Sequence, residues 1–567
     1  MYTITVRSRS SREVSRQYAG GEPFADDSAQ SRHSRGTYRR QHRRPVRSVT
    51  VGAGFSRRAP PEAKRHMRIL KVLVLASFLA VNSFAAGASS LLDAVKSKDK
   101  ESIRTLLRQG ADVKTPEPDG TTALHWAAHW NDLETADLLI RAGADVRAAN
   151  RYGATPLSEA AGNGGAALVE RLLKAGADPN TLVTSQGQTV LMTAARVGNL
   201  DAVKALLDHG AYVDARESFR GQTALMWAAA EGHAPVVKLL LAHDADHRAR
   251  SLDRETTVPK LTAGTPVVAI PRGGLTALLF AARQGHMDAT KALLDGGADI
   301  NEPDSDGNNA IVLALLNSHY DLVQMLIERG ADPNVAAKDG RTPLYTAVDM
   351  HDADWSPLPA RKVEDKTTAL DIIKSLLAKG ANVNAQLTAA SPIAKVAQDT
   401  GDRTLSAGAT AFMRAARSGD VALMKLLLEN KADPKLANKN GLTALSVAAG
   451  LNWADKIKST EAEALEAVKL CTELGLDLNA AMDNGDAALH GAALRGADSI
   501  VKFLVEKGAQ LNAETKTGLT PLDVAMGKVA PPAPPRDPHP TTVALIKELG
   551  GKPGEPKKPE EKKAEQK

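Results

Sequence analysis

The sequence predicts an all-α protein, a solenoid of helix-turn-helix repeats with projecting β-hairpin turns and loop insertions. Three observations predict it. Glycines open segments of similar sequence, and seven of the ten intervals between them are 33 or 34 residues long. Within each segment an Ala-Ala pair and a Leu-Leu pair recur at similar distances. The chain of 567 residues contains only 8 Phe, 7 Tyr and 5 Trp, which favours many small cores of Ala and Leu over a few large ones.

The composition excludes several classes of protein. With 43% hydrophobic and 24% charged residues, the chain is not disordered along its whole length. Cys471 is the single cysteine, so intrachain disulfides, cysteine-based zinc fingers and iron–sulfur clusters are excluded. No apolar run is long enough to predict a clear membrane span.

Residues 1–66 differ from the rest of the chain. They are rich in Arg, Ser and Gly and carry fifteen Lys or Arg against five Asp or Glu. Three interpretations stay open: a disordered segment, an RNA-binding or targeting arm, and translated upstream sequence before a true start at Met67, which we prefer. Arg68 and Lys71 add two more positive charges, so a chain of total charge +6 leaves about −6 on the remainder. We therefore expect no nucleic-acid partner for the mature chain.

The segment 67–88 has the layout of a secretory signal peptide. Arg68 and Lys71 form a basic start, an apolar run follows over 72–81, and small residues then allow cleavage after Ala85 or Ala88. We expect an exported protein, periplasmic or secreted, with no stable membrane span after cleavage. Tethering to the membrane by an uncleaved signal-anchor is the alternative.

Each repeat has a physical explanation, shown by the segment GTTALHWAAHWNDLETADLLIRAGAD that starts at Gly120. Thr caps the first helix, and Pro or Ala follows it. The Ala-Ala pair allows close approach of the next repeat, the Leu-Leu pair fills the space between helix layers, and the next Gly stops the second helix. No repeat buries its apolar face alone, so stacking must stabilise the fold. The opening glycines are Gly120, Gly153, Gly187, Gly221, Gly274, Gly307, Gly340, Gly408, Gly441, Gly485 and Gly518.

This pattern resembles the ankyrin repeat over about residues 89–550. The motif Thr-Pro-Leu stands at Thr155, Thr342 and Thr520, and Gly-Ala-Asp follows second helices, as at Gly143. The resemblance implies about twelve repeats, and the style of the signal peptide indicates an exported bacterial protein. In the family, a histidine in the first helix ties neighbouring turns together. Here only two repeats, with His125 and His490, keep it, so we expect weaker ties between the other turns.

The resemblance also gives the domain boundaries. We expect a disordered or mis-annotated extension at 1–66, a signal peptide at 67–88, the solenoid at 89–550 and a disordered Lys/Glu/Pro tail at 551–567. Repeats open near residues 89, 120, 153, 187, 221, 274, 307, 340, 408, 441, 485 and 518, and the first, 89–118, is a capping repeat.

Three insertions interrupt the repeats, at 250–272, 351–366 and 389–407. Such insertions usually form loops on one face, often the binding face. Within the first insertion, the segment 265–271 is short, β-prone and bounded by prolines. In the second, Trp355 beside a proline is either an exposed contact residue or folds back against a helix.

Candidate sites for chemistry are few. His125 and His129 have a metal-ligand spacing, and His243 and His247 flank two aspartates, but both sets coincide with ordinary repeat positions. The sequence contains no catalytic, phosphate-binding or dinucleotide-binding motif. Cys471 lies on an apolar helix face, so we expect a buried, inert thiol. We expect no catalytic residue, cofactor or metal, and no enzyme activity.

The resemblance implies a protein-binding scaffold, because ankyrin-like domains bind proteins through the concave face of first helices and turn tips. We expect a monomer and a protein partner. An enzyme or small-ligand-binding protein, with a site built by loops 250–272 and 351–407, is the alternative, and an effector that enters a host cell is a third possibility. The candidate partner-binding residues are Trp126, His129, Trp130, Gln188, Arg196, Gln222, Trp227, Glu231, Phe280, Arg283, Gln284, Trp355, Arg417 and Arg495.

Overall fold

The structure is a computed structural model. It describes residues 90–257, 269–351, 365–389, 405, 407–451, 459–530, 535–555 and 557. All of them belong to one compact unit, Ser89–Lys567. No helix in these ranges is long and apolar enough to cross a membrane. The predicted signal peptide lies outside the described residues.

The described residues form helices that follow one another in antiparallel pairs, each with a first and a second helix. In chain order the pairs are α1 (Leu91–Ser97) and α2 (Lys100–Arg108), α3 (Ala123–His129) and α4 (Leu133–Arg141), α5 (Pro156–Gly162) and α6 (Ala166–Lys174), α7 (Val190–Val197) and α8 (Leu200–Asp208), α9 (Ala224–Ala230) and α10 (Ala234–Ala242), α11 (Ala277–Gln284) and α12 (Met287–Asp295), α13 (Ala310–Leu316) and α14 (Tyr320–Glu328), α15 (Pro343–His351) and α16 (Ala369–Ala378), α17 (Ala411–Ser418) and α18 (Val421–Glu429), α19 (Ala444–Ala449) and α20 (Glu461–Glu473), α21 (Ala488–Arg495) and α22 (Asp498–Glu506), and α23 (Pro521–Ala525) and α24 (Pro540–Glu548).

Threonine begins most first helices, as the sequence predicts. The Thr155 side chain accepts a hydrogen bond from the backbone N–H of Ser158, and Thr189 does the same for Met192. Each bond satisfies one of the N–H groups that the first turn of a helix leaves without a partner. These caps fix where each helix starts, and therefore which residues point toward the next repeat.

The helices form two layers around one elongated core. First helices contact one another in an unbroken series from α1 to α23, and second helices pack behind them. Ala127 and Ala128 are buried where first helices meet, and Leu139 is fully buried between the layers. The buried apolar residues form one continuous cluster from Leu91 to Ile546. The small alanines let the repeats approach closely, so stacking buries what a single repeat leaves exposed.

Peptide groups join neighbouring turns between repeats. The backbone N–H of Arg151 donates to the carbonyl oxygen of Asp119 at 2.7 Å, and Leu252 donates to Arg220 in the same way. The same arrangement recurs toward the C-terminus, where Lys516 donates to the carbonyl oxygen of an earlier turn. All eleven opening glycines have positive φ, which a turn of this shape needs. The turns are therefore tied together by main-chain bonds.

The two motif histidines add side-chain ties. The Nδ1 atom of His125 accepts from the backbone N–H of Thr122, and its Nε2–H donates to the carbonyl oxygen of Ala154 in the next turn at 2.9 Å. His490 contacts Leu519 in the same way. We expected weaker ties where this histidine is missing, but the main-chain bonds join those turns as well, because they depend on no side chain.

The turns themselves are too short to form strands. In the described part of the chain, strands occur only in the first insertion, where β1 (Arg254–Thr257) pairs antiparallel with β2 (Ala269–Arg272). β2 overlaps the segment 265–271 that the sequence marks as β-prone. This insertion therefore extends one inter-repeat turn into a true β-hairpin.

The described residues that flank the insertions lie at both ends of the helices. Insertions 250–272 and 389–407 lie in turns between repeats, where first helices begin. Insertion 351–366 instead follows the end of α15, and the N–H groups of Lys366 and Thr367 donate to Asp321 at the start of α14. Because the helices are antiparallel, the described residues that flank this insertion lie at the end opposite the turns. The residues that flank the three insertions therefore do not all lie at one end of the helices.

Candidate protein-binding surface

Residues six, nine and ten positions after the opening glycines, on or directly after first helices α3, α5, α7, α9 and α11, form a surface that we call the first-helix face. Positions nine and ten are the more exposed, while position six is half-buried or buried. Trp126, Trp227 and Phe280 occupy the sixth position in their repeats. Because first helices contact one another in series, equivalent residues of adjacent repeats are neighbours on this face.

Trp126, His129 and Trp130 form an aromatic group at the N-terminal end of this face, which we call the tryptophan cluster. The rings of Trp126 and Trp130 stack with centroids 6.1 Å apart, and His129 meets Trp130 edge-on at 4.8 Å. Trp130 is 40% exposed. Clustered aromatic rings that stay in contact with water are typical of binding hot spots.

Charged side chains from neighbouring elements hold the tryptophan cluster in place. The Nε1–H of Trp126 donates to Glu117, which also binds the ammonium group of Lys96 at 2.6 Å. The ammonium group of Lys98 lies 4.0 Å from the centre of the Trp130 ring. The hydrogen bond to Glu117 raises the pKa of Lys96. The capping repeat, which supplies both lysines, is therefore part of this surface.

Further along the face lies a second group, which we call the arginine patch: Arg196, Arg220, Arg283, Trp227 and Phe280. The Arg196 guanidinium lies over the Trp227 ring, with 5.6 Å to the ring centroid, and Arg283 lies over Phe280 at 5.1 Å. Arg220, in the turn before α9, lies over the neighbouring Phe219. Burial, and to a lesser degree the positive charge of Arg220, lowers the pKa of Arg283.

The two aromatic residues of the arginine patch are buried or half-buried. Phe280 is buried beneath Arg283, while Trp227 is half-buried, with its Nε1–H lacking a hydrogen-bond partner among the described residues. These two aromatics therefore serve both the packing between repeats and the exposed surface. The sequence left both roles open.

The other predicted residues are distributed unevenly. Glu231 and Gln284 are exposed at the ends of α9 and α11. Gln222 is buried in its turn, and Gln188 is half-buried with its amide 3.4 Å from a threonine hydroxyl. Gln188 and Gln222 therefore help to build turns. Trp355 lies outside the described residues.

Arg417 and Arg495 are not brought together with the arginine patch. Burial lowers the pKa of each to about 10. Arg417 lies close to Tyr345 and Asp349, and Arg495 donates to the carbonyl oxygen of Ser459 at 2.5 Å. Both are engaged within the fold, so neither extends the arginine patch toward the C-terminus.

Comparison with known families matches the regions that carry this surface. The family model "Ankyrin repeats (3 copies)" matches residues 91–183, 157–251 and 257–337. The single "Ankyrin repeat" model matches 407–439 and 484–516. Together these stretches cover more than half of the chain. The chain belongs to the ankyrin-repeat family.

Individual relatives resemble parts of the ankyrin solenoid. A Transient receptor potential cation channel subfamily A member 1 homolog from Caenorhabditis elegans is 30% identical over 118 residues. That match spans 21% of this chain and 9% of the channel's length. The human ASB11 ankyrin repeat domain is 25% identical, with a TM-score of 0.36, over 43% of this chain and 99% of that domain.

Sequence reasoning missed part of the ankyrin surface. Arg220, Tyr152 and Leu252 are exposed in the turns but are not among the predicted partner-binding residues. Lys96 and Lys98 lie in the capping repeat, where no partner-binding residue was predicted. The signal that could have found Arg220 is its position directly before the opening glycine Gly221, which places it at a turn tip.

His125 and Cys471, which the sequence offers as candidates for chemistry, are engaged or buried within the fold. Both ring nitrogens of His125 are engaged in the turn. Within the described ranges, no group of three or more His, Cys, Asp or Glu is arranged to hold a metal ion. Burial raises the pKa of the Cys471 thiol to about 12, which keeps it protonated and unreactive.

Proposed function

We propose that this ankyrin-repeat chain is a non-catalytic scaffold that binds a partner protein along the first-helix face. The observation that carries the proposal is the tryptophan cluster, an aromatic group with Trp130 exposed and its neighbours held by Glu117 and Lys96. A rigid, partly exposed aromatic group loses little conformational entropy on binding. The mechanism is docking on a preformed surface.

The finer assignments are also part of the proposal. The twelve helix pairs support a count of about twelve repeats, and the basic and apolar pattern after Met67 supports an exported bacterial protein, periplasmic or secreted. The mature chain acts as a monomer without a nucleic-acid partner. The domain boundaries are 1–66, 67–88, 89–550 and 551–567.

A pull-down with the full chain as bait tests the function. Extracts from the source organism are passed over the wild-type protein, over Trp130→Ala, and over the matched control Tyr212→Ala, which removes an aromatic residue 70% exposed just after α8. We expect a protein that binds wild type and Tyr212→Ala but is lost with Trp130→Ala. Equal capture by all three, or no captured protein, contradicts the proposal.

One observation favours the alternative of an enzyme or small-ligand-binding protein. Where α15, α17 and α18 meet, Arg414 binds Asp349 at 2.7 Å and His351 binds Asp420 at 3.1 Å, with the buried Tyr345 nearby. Insertions 351–366 and 389–407 both begin or end beside these helices. If this group binds a small molecule, Arg414→Gln abolishes ligand-induced thermal stabilisation and leaves protein capture unchanged.

A further inference from the structure

Resting on the protein-binding function proposed above, we infer that the arginine patch binds an acidic segment of the partner protein, whose Asp or Glu carboxylates meet Arg196, Arg220 and Arg283. The remainder of the chain after Lys71 carries a net charge of about −6. An acidic partner is therefore recognised at this local group rather than drawn in by the charge of the whole body.

The three guanidinium groups of the patch have no carboxylate partner among the described residues. Some arginines elsewhere on the fold do pair with carboxylates, as Arg414 does with Asp349 and Arg171 with Asp137. Arg283 is half-buried, and a buried charge without a counter-charge is costly. The ring of Phe280 offsets part of that cost. A carboxylate from a partner offsets the rest, so the free protein carries an incomplete anion site.

Aromatic rings orient the guanidinium groups before binding. Arg196 lies on Trp227, Arg220 on Phe219 and Arg283 on Phe280. A ring beneath a guanidinium group limits its movement and leaves N–H groups available for a bidentate contact with a carboxylate. Arginine loses less entropy per hydrogen bond when its plane is already fixed. The patch is therefore organised for carboxylates rather than for a diffuse negative charge.

The spacing of the patch favours a segment over a single small anion. Arg196 lies on α7, Arg220 in the turn before α9, and Arg283 on α11, so the groups come from three successive repeats. Trp227, half-buried between them, offers an apolar surface to a side chain of the segment. A peptide laid across the first helices reaches all of these groups at once.

Acidic residues mark where the patch ends. In the turn before α13, burial raises the pKa of Asp306, and Asp304 and Asp253 raise it further while Lys338 lowers it. These carboxylates repel an acidic segment that extends toward the later turns. The bound segment is therefore confined to the repeats from α7 to α11.

Fluorescence anisotropy of the full chain tests the inference. The probe is a short fluorescein-labelled peptide of alternating Glu and Leu, and its counterpart has Gln in place of Glu. The variant Arg196→Gln/Arg220→Gln/Arg283→Gln is compared with a control of equal net charge, Arg108→Gln/Arg141→Gln/Arg248→Gln, which changes exposed arginines outside the patch. Thermal unfolding of both variants verifies that they fold.

We expect the patch variant to weaken binding of the Glu peptide at least about ten-fold, equivalent to about 1.4 kcal/mol, while the control variant binds nearly as wild type does. The Gln peptide binds weakly to all three proteins. Equal losses in both variants, or no loss in either, overturn the inference. The inference is also overturned if inorganic phosphate or single-stranded DNA displaces the peptide at a competitor concentration below the peptide concentration.

The pull-down separates this inference from the proposed function. If a partner is lost with Trp130→Ala but retained by the patch variant, the scaffold function stands and the acidic-segment inference is wrong. If no protein is captured by wild type, the scaffold function fails, whatever the peptide does. A partner lost with both variants, together with the ten-fold loss of peptide binding, supports both.

Discussion

A single backbone conformation recurs at the end of the second helices. Gly143, Gly176 and Gly297 have φ near +90°, as the Gly-Ala-Asp motif predicts. Two repeats place another residue there: Asp244 and Lys431 also have positive φ, at 62° and 70°. The conformation is therefore imposed by the repeat, and the residue adapts to it at a cost of roughly 1 kcal/mol when it is not glycine.

Gly143→Val should destabilise the protein. No atom lies within 4 Å of a Cβ built at Gly143, where φ is +90°, so any loss comes from backbone strain rather than from a clash. We expect the free energy of unfolding to fall by about 1–3 kcal/mol, measured by urea unfolding. Gly143→Asn is the control, since Asn tolerates this conformation better. Equal losses for Val and Asn contradict the explanation.

Placing glycine at a helix-end position that now holds another residue should stabilise the protein. Lys431 is exposed and its backbone N–H already makes the bond expected at a helix end, to Leu428. Lys431→Gly removes the strain of a positive φ, and we expect a gain of about 0.5–1 kcal/mol. Lys379→Gly serves as the control. The φ of Lys379, one position before Gly380, is negative, so this change should lower stability. A loss at Lys431 as well rejects the argument.

The two motif histidines give the fold a pH dependence. Burial lowers the pKa of His125 and of His490, so the unfolded chain binds more protons than the folded chain as pH falls below about 6.5. Stability from these residues is complete above that pH and is lost as pH falls toward the lowered folded pKa.

Urea unfolding at pH 7.5 and pH 5.0 measures this effect. We expect His125→Met/His490→Met to lose less stability than wild type on acidification, since Met occupies the equivalent position at Met192 and Met226. The other titrating groups are common to both proteins, so the difference belongs to these two histidines. Identical pH dependence in wild type and variant is the contradicting result.

At the scale of elements, a second set of histidines links the repeats. His233, His286 and His319 each precede a second helix and donate through Nε2–H to the last turn of an earlier first helix. The ring of His233 also covers Gly198, where a Cβ would lie 2.5 Å from the ring. Sequence reasoning followed only the histidine in the first helix. The partners of these other histidines lie in a different repeat, so the pattern within one repeat does not reveal them.

His233→Ala should loosen the contact between α7 and α10. The Nε2–H of His233 donates to the carbonyl oxygen of Arg196 at 2.9 Å, and we expect a loss of about 1 kcal/mol in unfolding free energy. His233→Asn is the matched control, because Asn199, at the equivalent position one repeat earlier, donates to the carbonyl oxygen of Gly164 in the preceding repeat at 2.7 Å. Asn should restore most of the loss. If it restores none, the ring packing rather than the hydrogen bond is responsible.

At the scale of the molecule, the main contacts between described helices of different repeats join adjacent repeats, while the core is continuous from end to end. Damage should therefore stay local. Ile103 in α2 and Ile500 in α22 are both fully buried, and replacing either by Ala costs about 2–5 kcal/mol. Hydrogen exchange should accelerate in α1–α4 for Ile103→Ala and in α20–α24 for Ile500→Ala. Uniform acceleration along the chain in either variant contradicts nearest-neighbour stacking.

Sequence alone predicted the repeat, its helices and their caps, because these depend on residues close together in the chain, such as Thr155 and Ser158. It also placed Trp126 and Arg283 on one face. It could not predict that Arg417 is engaged with Tyr345, or that Arg220 joins the arginine patch. Both facts depend on contacts between repeats, where the side chains of one unit meet those of the next.

The main-chain bonds between neighbouring turns have a consequence for how such a protein can change. The tie from Arg151 to Asp119 uses only peptide atoms, so the side chains at the turn tips are not needed to hold the tips in place. A library randomised at Arg151, Tyr152, Phe219 and Arg220 should therefore yield mostly folded proteins with many different binding preferences. In a chain of this design, recognition can diversify by point mutation while the architecture is inherited unchanged.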